Sequence, residues 1–462
     1  MSTARVVIRS AFAVLSAACA AVAAAAPLAQ RDLGNGMKVL VKEDHRSPVV
    51  VSMVWYRAGS MDEVSGTTGV AHMLEHMMFK GTAKVPAGEF SRIVARAGGR
   101  ENAFTSRDYT AYYQQLHKSK LPVAFELEAD RMANLSLSAE EFSKELKVVM
   151  EERRMRTDDE PHSQLHEQMM ATIYTVHPYR TPVVGWMNDL RNMRVEDARA
   201  WYGQWYAPNN ATLVVAGDVQ PDEVFAAAEK FFGPVPSRPL PQRRPQVEPE
   251  QKGIKRITVK APAELPYLIM AYHAPALRDV EKDWEPYALF VLSNILDGGE
   301  AARLNRELVR KSRVAVSANA SYDLINRGPS LFFLDAIPAQ GRTVADAEAA
   351  LREQIRILVE NGVSADELQR VKAQATAAQV YARDSVYYQA MRIGMLQTVG
   401  LPPDSVDVQL RKMQEVTAEQ VQEVARKYLV DDGLTVGVLD PQPLPGGKRP
   451  RTGPEDTSRD QR

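Results

Sequence analysis

The chain carries the pentapeptide His72-Met73-Leu74-Glu75-His76 inside the longer stretch GVAHMLEHMMFKGT, residues 69–82. Its pattern predicts a helix over residues 69–79, and residues four apart share one face of a helix. Both imidazoles can therefore reach one metal ion, and Glu75 lies close enough to take a proton from a metal-bound water. The order is the reverse of the commoner His-Glu-x-x-His signature. These five residues predict a hydrolytic metal centre. The alternative interpretation is a helix with two solvated histidines.

Residues 1–26 have the pattern of a cleaved secretory signal. Arg5 and Arg9 precede an alanine-rich apolar run from Ala11 to Ala26, and small residues crowd its end. We expect export to the periplasm, with no stable membrane insertion after cleavage, because no later stretch is long and apolar enough to span a bilayer. Cys19, the one cysteine, lies within this signal, so the mature chain would have no disulfide and no thiol nucleophile. The sequence leaves open whether Cys19 is lipidated.

The overall charge points away from nucleic acid as a partner. The chain has 57 basic and 58 acidic residues, for a formal net charge of −1. A near-neutral chain has no electrostatic reason to bind nucleic acid or an anionic membrane. A length of 462 residues predicts more than one domain.

The chain repeats one plan of strands and helices on either side of a proline-rich segment. Three pairs of segments match between the halves: 137–142 with 363–368, 206–218 with 428–439, and 72–81 with 290–299. The offsets within the pairs are similar, so one duplication explains all three. We predict an α+β fold of two homologous domains, each an antiparallel-rich mixed sheet backed by helices.

The predicted domain organisation follows the changes in composition along the chain. We expect a signal peptide at 1–26, an N-terminal metal-binding domain at 27–232, a proline-rich linker at 233–252, a C-terminal homologous domain at 253–441 and a disordered tail at 442–462. A proline-rich linker is extended and semi-rigid, which suits a spacer that sets two domains face to face.

The second copy lacks the groups that would bind a metal or move a proton. None of the five candidate residues keeps its chemistry there, since the aligned pairs are His72–Phe290, Glu75–Ser293, His76–Asn294, Glu145–Val371 and Glu152–Ala378. We therefore expect the second domain to be inactive and to form a wall or a substrate-holding surface.

A zinc site usually has three protein ligands, so two histidines leave one to be found. The predicted helix over residues 139–158 carries five glutamates, and Glu145 and Glu152 lie two turns apart on one face. Basic side chains on the same helix offer the alternative of a solvated, ion-paired surface. Spacing alone leaves Glu145 and Glu152 equal as the third ligand.

The surrounding blocks resemble the pitrilysin and mitochondrial-processing-peptidase family, M16, whose members carry an inverted zinc motif. The matching segments run in order along nearly the whole mature chain: residues 58–60, 69–82, 98–113, 145–152, 177–185 and 206–218. Two repeats, rather than four, are typical of the bacterial and processing-peptidase branch. The resemblance implies two domains that face each other across a substrate chamber.

The resemblance also implies a role for each site residue. By position, His72, His76 and Glu152 would bind one zinc ion, Glu75 would be the general base, and Glu145 would orient the ligands without touching the metal. The stretch Asn102-Ala103-Phe104-Thr105 resembles an exposed edge strand to which an extended peptide adds. The alternative for that stretch is an ordinary strand.

One block departs from the complete members of the family. Those members carry an arginine and, seven residues later, a tyrosine that bind the substrate near the zinc, whereas Val309 and Val316 stand at the aligned positions here. In two-chain members the zinc motif and the arginine–tyrosine pair belong to different subunits. The resemblance therefore implies a heterodimer with a metal-less homologous partner, unless Arg310, Arg313 and Tyr322 supply a shifted pair.

These expectations agree on a periplasmic zinc metalloendopeptidase that hydrolyses extended oligopeptides. Its partners would be peptide substrates and a homologous subunit without the zinc motif. The alternative is a non-catalytic binding or assembly subunit of the same family, which the intact zinc motif disfavours.

Overall fold

The structure is a computed structural model that describes residues 27–444. The predicted signal peptide at 1–26, including Cys19, lies outside the described residues, as does the predicted tail from residue 445 onward. Within residues 27–444, no helix has the length and apolar character needed to cross a membrane.

The first half is built on a six-stranded mixed sheet. Its strands are β1 (Ala29–Asp32), β2 (Lys38–Glu43), β3 (Val49–Tyr56), β4 (Arg100–Thr105), β5 (Thr110–His117) and β6 (Ala211–Gly217). They lie in the order β1-β2-β6-β3-β5-β4, and all neighbours are antiparallel except β2 with β6. Strand β4 is therefore an edge strand, as the sequence predicts.

The described helices of this half are α1 (Val70–Met77), α2 (Glu89–Arg96), α3 (Leu121–Asn134), α4 (Ala139–Arg153), α5 (Pro161–Ile173), α6 (Met187–Asn192), α7 (Val195–Trp205) and α8 (Pro221–Phe232). The Ser138 side chain accepts the N–H of Glu141 and so begins α4. The end of this helix differs from the prediction. The α-helix stops at Arg153 and continues as a wider π turn over Arg154–Asp158.

The second half repeats the plan on a five-stranded sheet. Its strands are β7 (Lys255–Pro262), β8 (Tyr267–Ala274), β9 (Ala315–Tyr322), β10 (Ser330–Pro338) and β11 (Leu434–Gln442), in the order β7-β11-β8-β10-β9. Here too one pair is parallel, β7 with β11. The helices are α9 (Glu285–Asp297), α10 (Val344–Asn361), α11 (Ala365–Ala382), α12 (Val386–Val399), α13 (Val406–Glu415) and α14 (Ala418–Tyr428). The predicted duplicated α+β fold is confirmed.

The two halves exchange one helix each. Helix α12 packs on β3 and β6 of the first sheet, where Gly394 lies directly against the ring of Trp55. Helix α5 packs on β7 and β11 of the second sheet, where Met169 lies against Gly437. Each sheet is thus covered on one face by a helix of the other half, so apolar burial sets the relative position of the halves.

A buried ion-pair cluster joins the halves beside strand β4. Arg327 of the second half donates to Asp62 from Nη1 at 2.7 Å and from Nη2 at 3.0 Å. Arg243, in the stretch 233–254 that forms no helix or strand, donates to the same carboxylate at 2.9 Å. Arg327 also binds Asp108, which lies in the turn between β4 and β5. The second half therefore holds the turn that follows the edge strand.

Candidate metal centre

Helix α1 places both histidines of the pentapeptide on one face. Gly69 begins the helix with a φ of 89°, in the left-handed region that favours glycine. The Glu63 carboxylate accepts the N–H groups of Gly69 and Ala71, each at 2.9 Å, and so satisfies donors that the first turn leaves free. The ring centres of His72 and His76 lie 4.8 Å apart.

Helix α4 brings Glu152 against both imidazoles. Its Oε2 lies 3.4 Å from Nε2 of His76 and 3.7 Å from Nε2 of His72. One donor atom from each of the three residues lies within 4.8 Å of the others. With bonds of about 2.0–2.1 Å, the donors of a tetrahedral zinc site are about 3.4 Å apart, so the residues present fit zinc.

The electrostatics of the two histidines suit metal binding. Burial, and then the neighbouring His76, lower the pKa of His72 to about 4, so its ring is neutral and keeps a lone pair at neutral pH. At His76, burial lowers the pKa, but hydrogen bonds to Glu152 and Glu145 outweigh it and raise the pKa. The contact with Glu152 is one that a bound metal would replace.

Glu145 occupies a different position from Glu152. Its Oε2 lies 3.2 Å from Nδ1 of His76, and its Oε1 lies 2.5 Å from Nζ of Lys80. A carboxylate on Nδ1 holds the proton there and leaves Nε2 of His76 free for a metal. The tertiary structure thus separates the two glutamates that spacing left equal, with Glu152 among the donors and Glu145 behind one of them.

The sequence reasoning missed two cations beside the donors. Lys80 pairs with Glu145, and Arg156 Nη1 lies 2.6 Å from Oε1 of Glu152. Arg156 holds the outer oxygen of this carboxylate while the other oxygen faces the imidazoles. A spacing signal was available, since each cation stands four residues after a candidate ligand, His76 or Glu152.

Glu75 lies next to the donors without belonging to them. Its Oε2 accepts a hydrogen bond of 2.5 Å from Oγ1 of Thr105, the last residue of β4. Burial raises the pKa of Glu75, and the hydrogen bond from Thr105 opposes that shift. A carboxyl group with a raised pKa is suited to accept and return a proton near neutral pH.

The donors open into a cavity of about 1230 Å³ between the halves. The candidate substrate strand Asn102–Thr105 forms one wall, and Tyr267 and Ile269 of β8 form part of the opposite wall. His162 and His166 of α5 also line it. His162 is exposed, and its ring stacks on that of Tyr267 with ring centres 4.3 Å apart. A wall from the second half agrees with the sequence-based expectation, but no local pattern singled out β8.

The described part of the second half contains no comparable donor set. Val316 is exposed on β9 and Val309 packs against the core, so neither side chain offers a hydrogen bond. Tyr322 is buried, and its hydroxyl donates to the carbonyl of Pro275. Tyr322 is thus absent from the residues that line the cavity of the metal centre.

Two repeated α+β domains, one with a His-His-Glu donor set and an adjacent carboxylate, are typical of a zinc-dependent hydrolase. Comparison with known proteins agrees with this class. Residues 38–185 match the family model described as insulinase (peptidase family M16), and residues 192–375 match the model described as peptidase M16 inactive domain. The chain belongs to peptidase family M16.

Named relatives and solved structures give the same answer. The chain is 35% identical over 333 residues to the zinc protease PqqE of Helicobacter pylori, covering 71% of this chain and 72% of that protein. It is 30% identical over 404 residues to the uncharacterized zinc protease Mb2805c of Mycobacterium bovis, covering 86% and 88%. The crystal structure of a protease from Helicobacter pylori matches with a TM-score of 0.85 and 29% identity, covering 90% of this chain and all of that one. The periplasmic protease PqqL of Escherichia coli shares the fold at a TM-score of 0.77 and 19% identity, over 91% of this chain and 48% of that one.

Proposed function

We propose that this protein is a zinc metalloendopeptidase that hydrolyses extended oligopeptides. The observation that carries the proposal is the convergence of His72, His76 and Glu152 on one point, with Glu75 beside them. Relatives named zinc proteases support the same chemistry.

In this mechanism each residue has a separate task. Zinc held by His72, His76 and Glu152 would polarise the scissile carbonyl and lower the pKa of its bound water to about 7. Glu75 accepts the proton of that water on Oε1, the oxygen that Thr105 does not occupy, and passes it to the leaving amine. Burial raises the pKa of Glu75 above its ordinary value, which favours its acceptance of this proton.

The substrate adds to β4 as an extra strand along Asn102, Ala103, Phe104 and Thr105. An edge strand offers unpaired backbone groups, which bind an extended peptide with little demand on its side chains. Because Thr105 contacts Glu75, a peptide paired with this strand runs past the general base. Folded proteins present no free strand of this kind, so unfolded peptides are the preferred substrates.

A homologous subunit supplies the arginine–tyrosine pair that this chain lacks at Val309 and Val316. The active species is then a heterodimer in the periplasm, to which the signal pattern of residues 1–26 would send it. The periplasmic protease of Escherichia coli that shares the fold supports this location. We take 27–232 and 253–441 as the two domains, with 233–252 as their linker.

The substitution Glu75→Gln tests the hydrolysis. The amide keeps the size of the side chain and an acceptor for Thr105 but cannot take a proton. We expect unchanged zinc content, measured by elemental analysis, and a loss of about 10²–10⁴-fold in kcat on a quenched fluorescent peptide. Glu141→Gln is the control for the same chemical change away from the donors, because Glu141 lies half-exposed in the first turn of α4, where it pairs with Lys144. Near-normal turnover in Glu75→Gln, or a wild-type protein without tightly held zinc, would refute the proposal.

The heterodimer is tested by mixing. We expect weak turnover from the purified chain and a large gain when a metal-less family member with the arginine–tyrosine pair is added. Glu75→Gln is then assayed in the same mixture, so that a low basal rate does not hide its effect. Full activity of the single chain, unchanged by the addition, would remove the heterodimer while leaving the hydrolysis intact.

A further inference from the structure

The second half contains a cavity of about 310 Å³ that the proposed hydrolysis does not use. Phe290 of α9, Ala378 of α11 and Arg392 of α12 line it, together with the apolar side chains of Met395 and Leu410. A volume of this size lies at the lower end of the range for small-molecule sites.

This cavity is the second copy of the cavity at the metal centre. Phe290 and Ala378 stand where the first copy has two of its three metal donors. The same alignment, continued from α11 into α12, places Arg392 opposite His166 of α5, and α5 and α12 are the two helices that the halves exchange. The duplication has kept a cavity and replaced metal donors with an apolar wall and a cation.

Buried polar groups hold Arg392 in place without neutralising it. Its Nη2 donates to Oε1 of Gln409 at 2.7 Å, and Nε2 of Gln409 donates to Oγ of Ser405 at 3.0 Å. Ser405 in turn donates to the carbonyl of Pro402 at 2.6 Å. The Gln409 and Ser405 side chains are buried. Because the acceptor is a neutral amide, the guanidinium is oriented while its positive charge stays uncompensated.

No carboxylate between residues 27 and 444 forms an ion pair with Arg392. Its Nε is buried and has no hydrogen-bond partner in the same range. Burial lowers the pKa of Arg392. Nearby tyrosine hydroxyls oppose this shift, and the largest contribution comes from Tyr388. Asp323 also lines the cavity but makes no ion pair with Arg392. A half-buried cation without a counter-charge is costly, so this position is suited to an anion that enters from outside.

We propose that this cavity binds a small organic carboxylate with an apolar body, such as the carboxyl-terminal residue of a peptide. The planar guanidinium has free donors for a carboxylate, and the side chains of Phe290, Met395 and Leu410 surround an apolar group. The site is separate from the metal centre and does not depend on the proposed hydrolysis.

Binding of N-acetyl-L-leucine tests the proposal, with N-acetyl-L-leucinamide as the uncharged analogue of the same shape. Isothermal titration of the full mature chain in the presence of a chelator keeps the probe from binding a metal ion. We expect the acid to bind about tenfold or more tightly than the amide, since a hydrogen bond to a charged group contributes about that factor. Arg392→Gln should abolish this preference, and Arg392→Lys should retain part of it.

Arg107→Gln is the matched control, because Arg107 lines the large cavity of the metal centre. This variant should bind the acid as the wild type does. Thermal unfolding of each variant identifies any that fails to fold, and the comparison of acid with amide needs only the wild type. Equal binding of acid and amide, no binding of either in the millimolar range, or loss of binding in Arg107→Gln but not in Arg392→Gln would overturn the proposal.

Discussion

Removal of the Arg327 side chain should strongly destabilise the protein, because this arginine joins the halves in a dry environment. The Arg327 and Asp62 side chains are only 6% and 5% exposed, and the two hydrogen bonds between them are 2.7 and 3.0 Å long. Breaking a buried pair on one side costs about 3–5 kcal/mol, since the other charge is left buried. Asp62 would keep Arg243, so Arg327→Met should fall at the lower end, near about 3 kcal/mol. At about 2–4 °C per kcal/mol, this lowers the Tm by about 6–12 °C.

The matched control is an arginine–carboxylate pair with two hydrogen bonds on the surface. Arg411 pairs with Glu281 at 2.8 Å, but these side chains are 49% and 53% exposed. Exposed pairs contribute about 0–1 kcal/mol, so Arg411→Met should leave the Tm within a few degrees of wild type. Differential scanning calorimetry of the three proteins side by side measures both effects. Equal shifts in the two variants would contradict the reasoning that burial, rather than the number of ion pairs, sets the strength of this contact.

The other predictions concern the donor set, acid stability and helix packing. Glu145→Gln should weaken zinc binding by about 10–100-fold in chelator competition, because it replaces the carboxylate that holds His76 with a neutral amide. An effect below about twofold would contradict that role. Burial lowers the pKa of His177 to about 4 from 6.5, so the native state binds fewer protons between these values and stability falls as the pH drops through them. His177→Asn should reduce this loss of unfolding free energy by about 1–3 kcal/mol, as judged from thermal unfolding at pH 7 and pH 5. An unchanged pH dependence would show that His177 is not its source. Gly394→Ala should destabilise the protein by about 3 kcal/mol or more, because its Cβ would lie 2.1 Å from the Trp55 ring. Gly203→Ala has open space around it and should stabilise the protein by about 0.5–1 kcal/mol, and denaturant titration measures both effects.

Much of the fold was predictable from local patterns. Strand β3 (Val49–Tyr56) and helix α3 (Leu121–Asn134) both carry strong apolar patterns with clear ends, which local sequence is enough to indicate. The edge position of Asn102–Thr105 agrees with what the resemblance to family M16 implies. The π turn after Arg153 was not predictable, since its residues are ordinary helix formers and its geometry depends on what α4 and α5 pack against.

The candidate site likewise combines features that the sequence predicted with features that it did not. Fixed spacing along one helix was enough to pair His72 with His76, but Glu145 and Glu152 are two turns apart on a common face, and spacing treats them alike. Where α4 crosses α1 decides that Glu152 meets Nε2 of both rings and that Glu145 meets Nδ1 of one. The opposite wall, with Tyr267, comes from a strand far along the chain and left no local signal.

The amino-acid sequence by itself determined the metal-binding motif, the duplication and the loss of the donors in the second copy, because each depends only on residue identity at a given spacing. The tertiary structure decided which glutamate joins the histidines, how α5 and α12 cross between the halves, and that the half-buried Arg392 lines the second cavity. These depend on distances between segments far apart in the chain, which the packing of side chains sets and local periodicity does not encode.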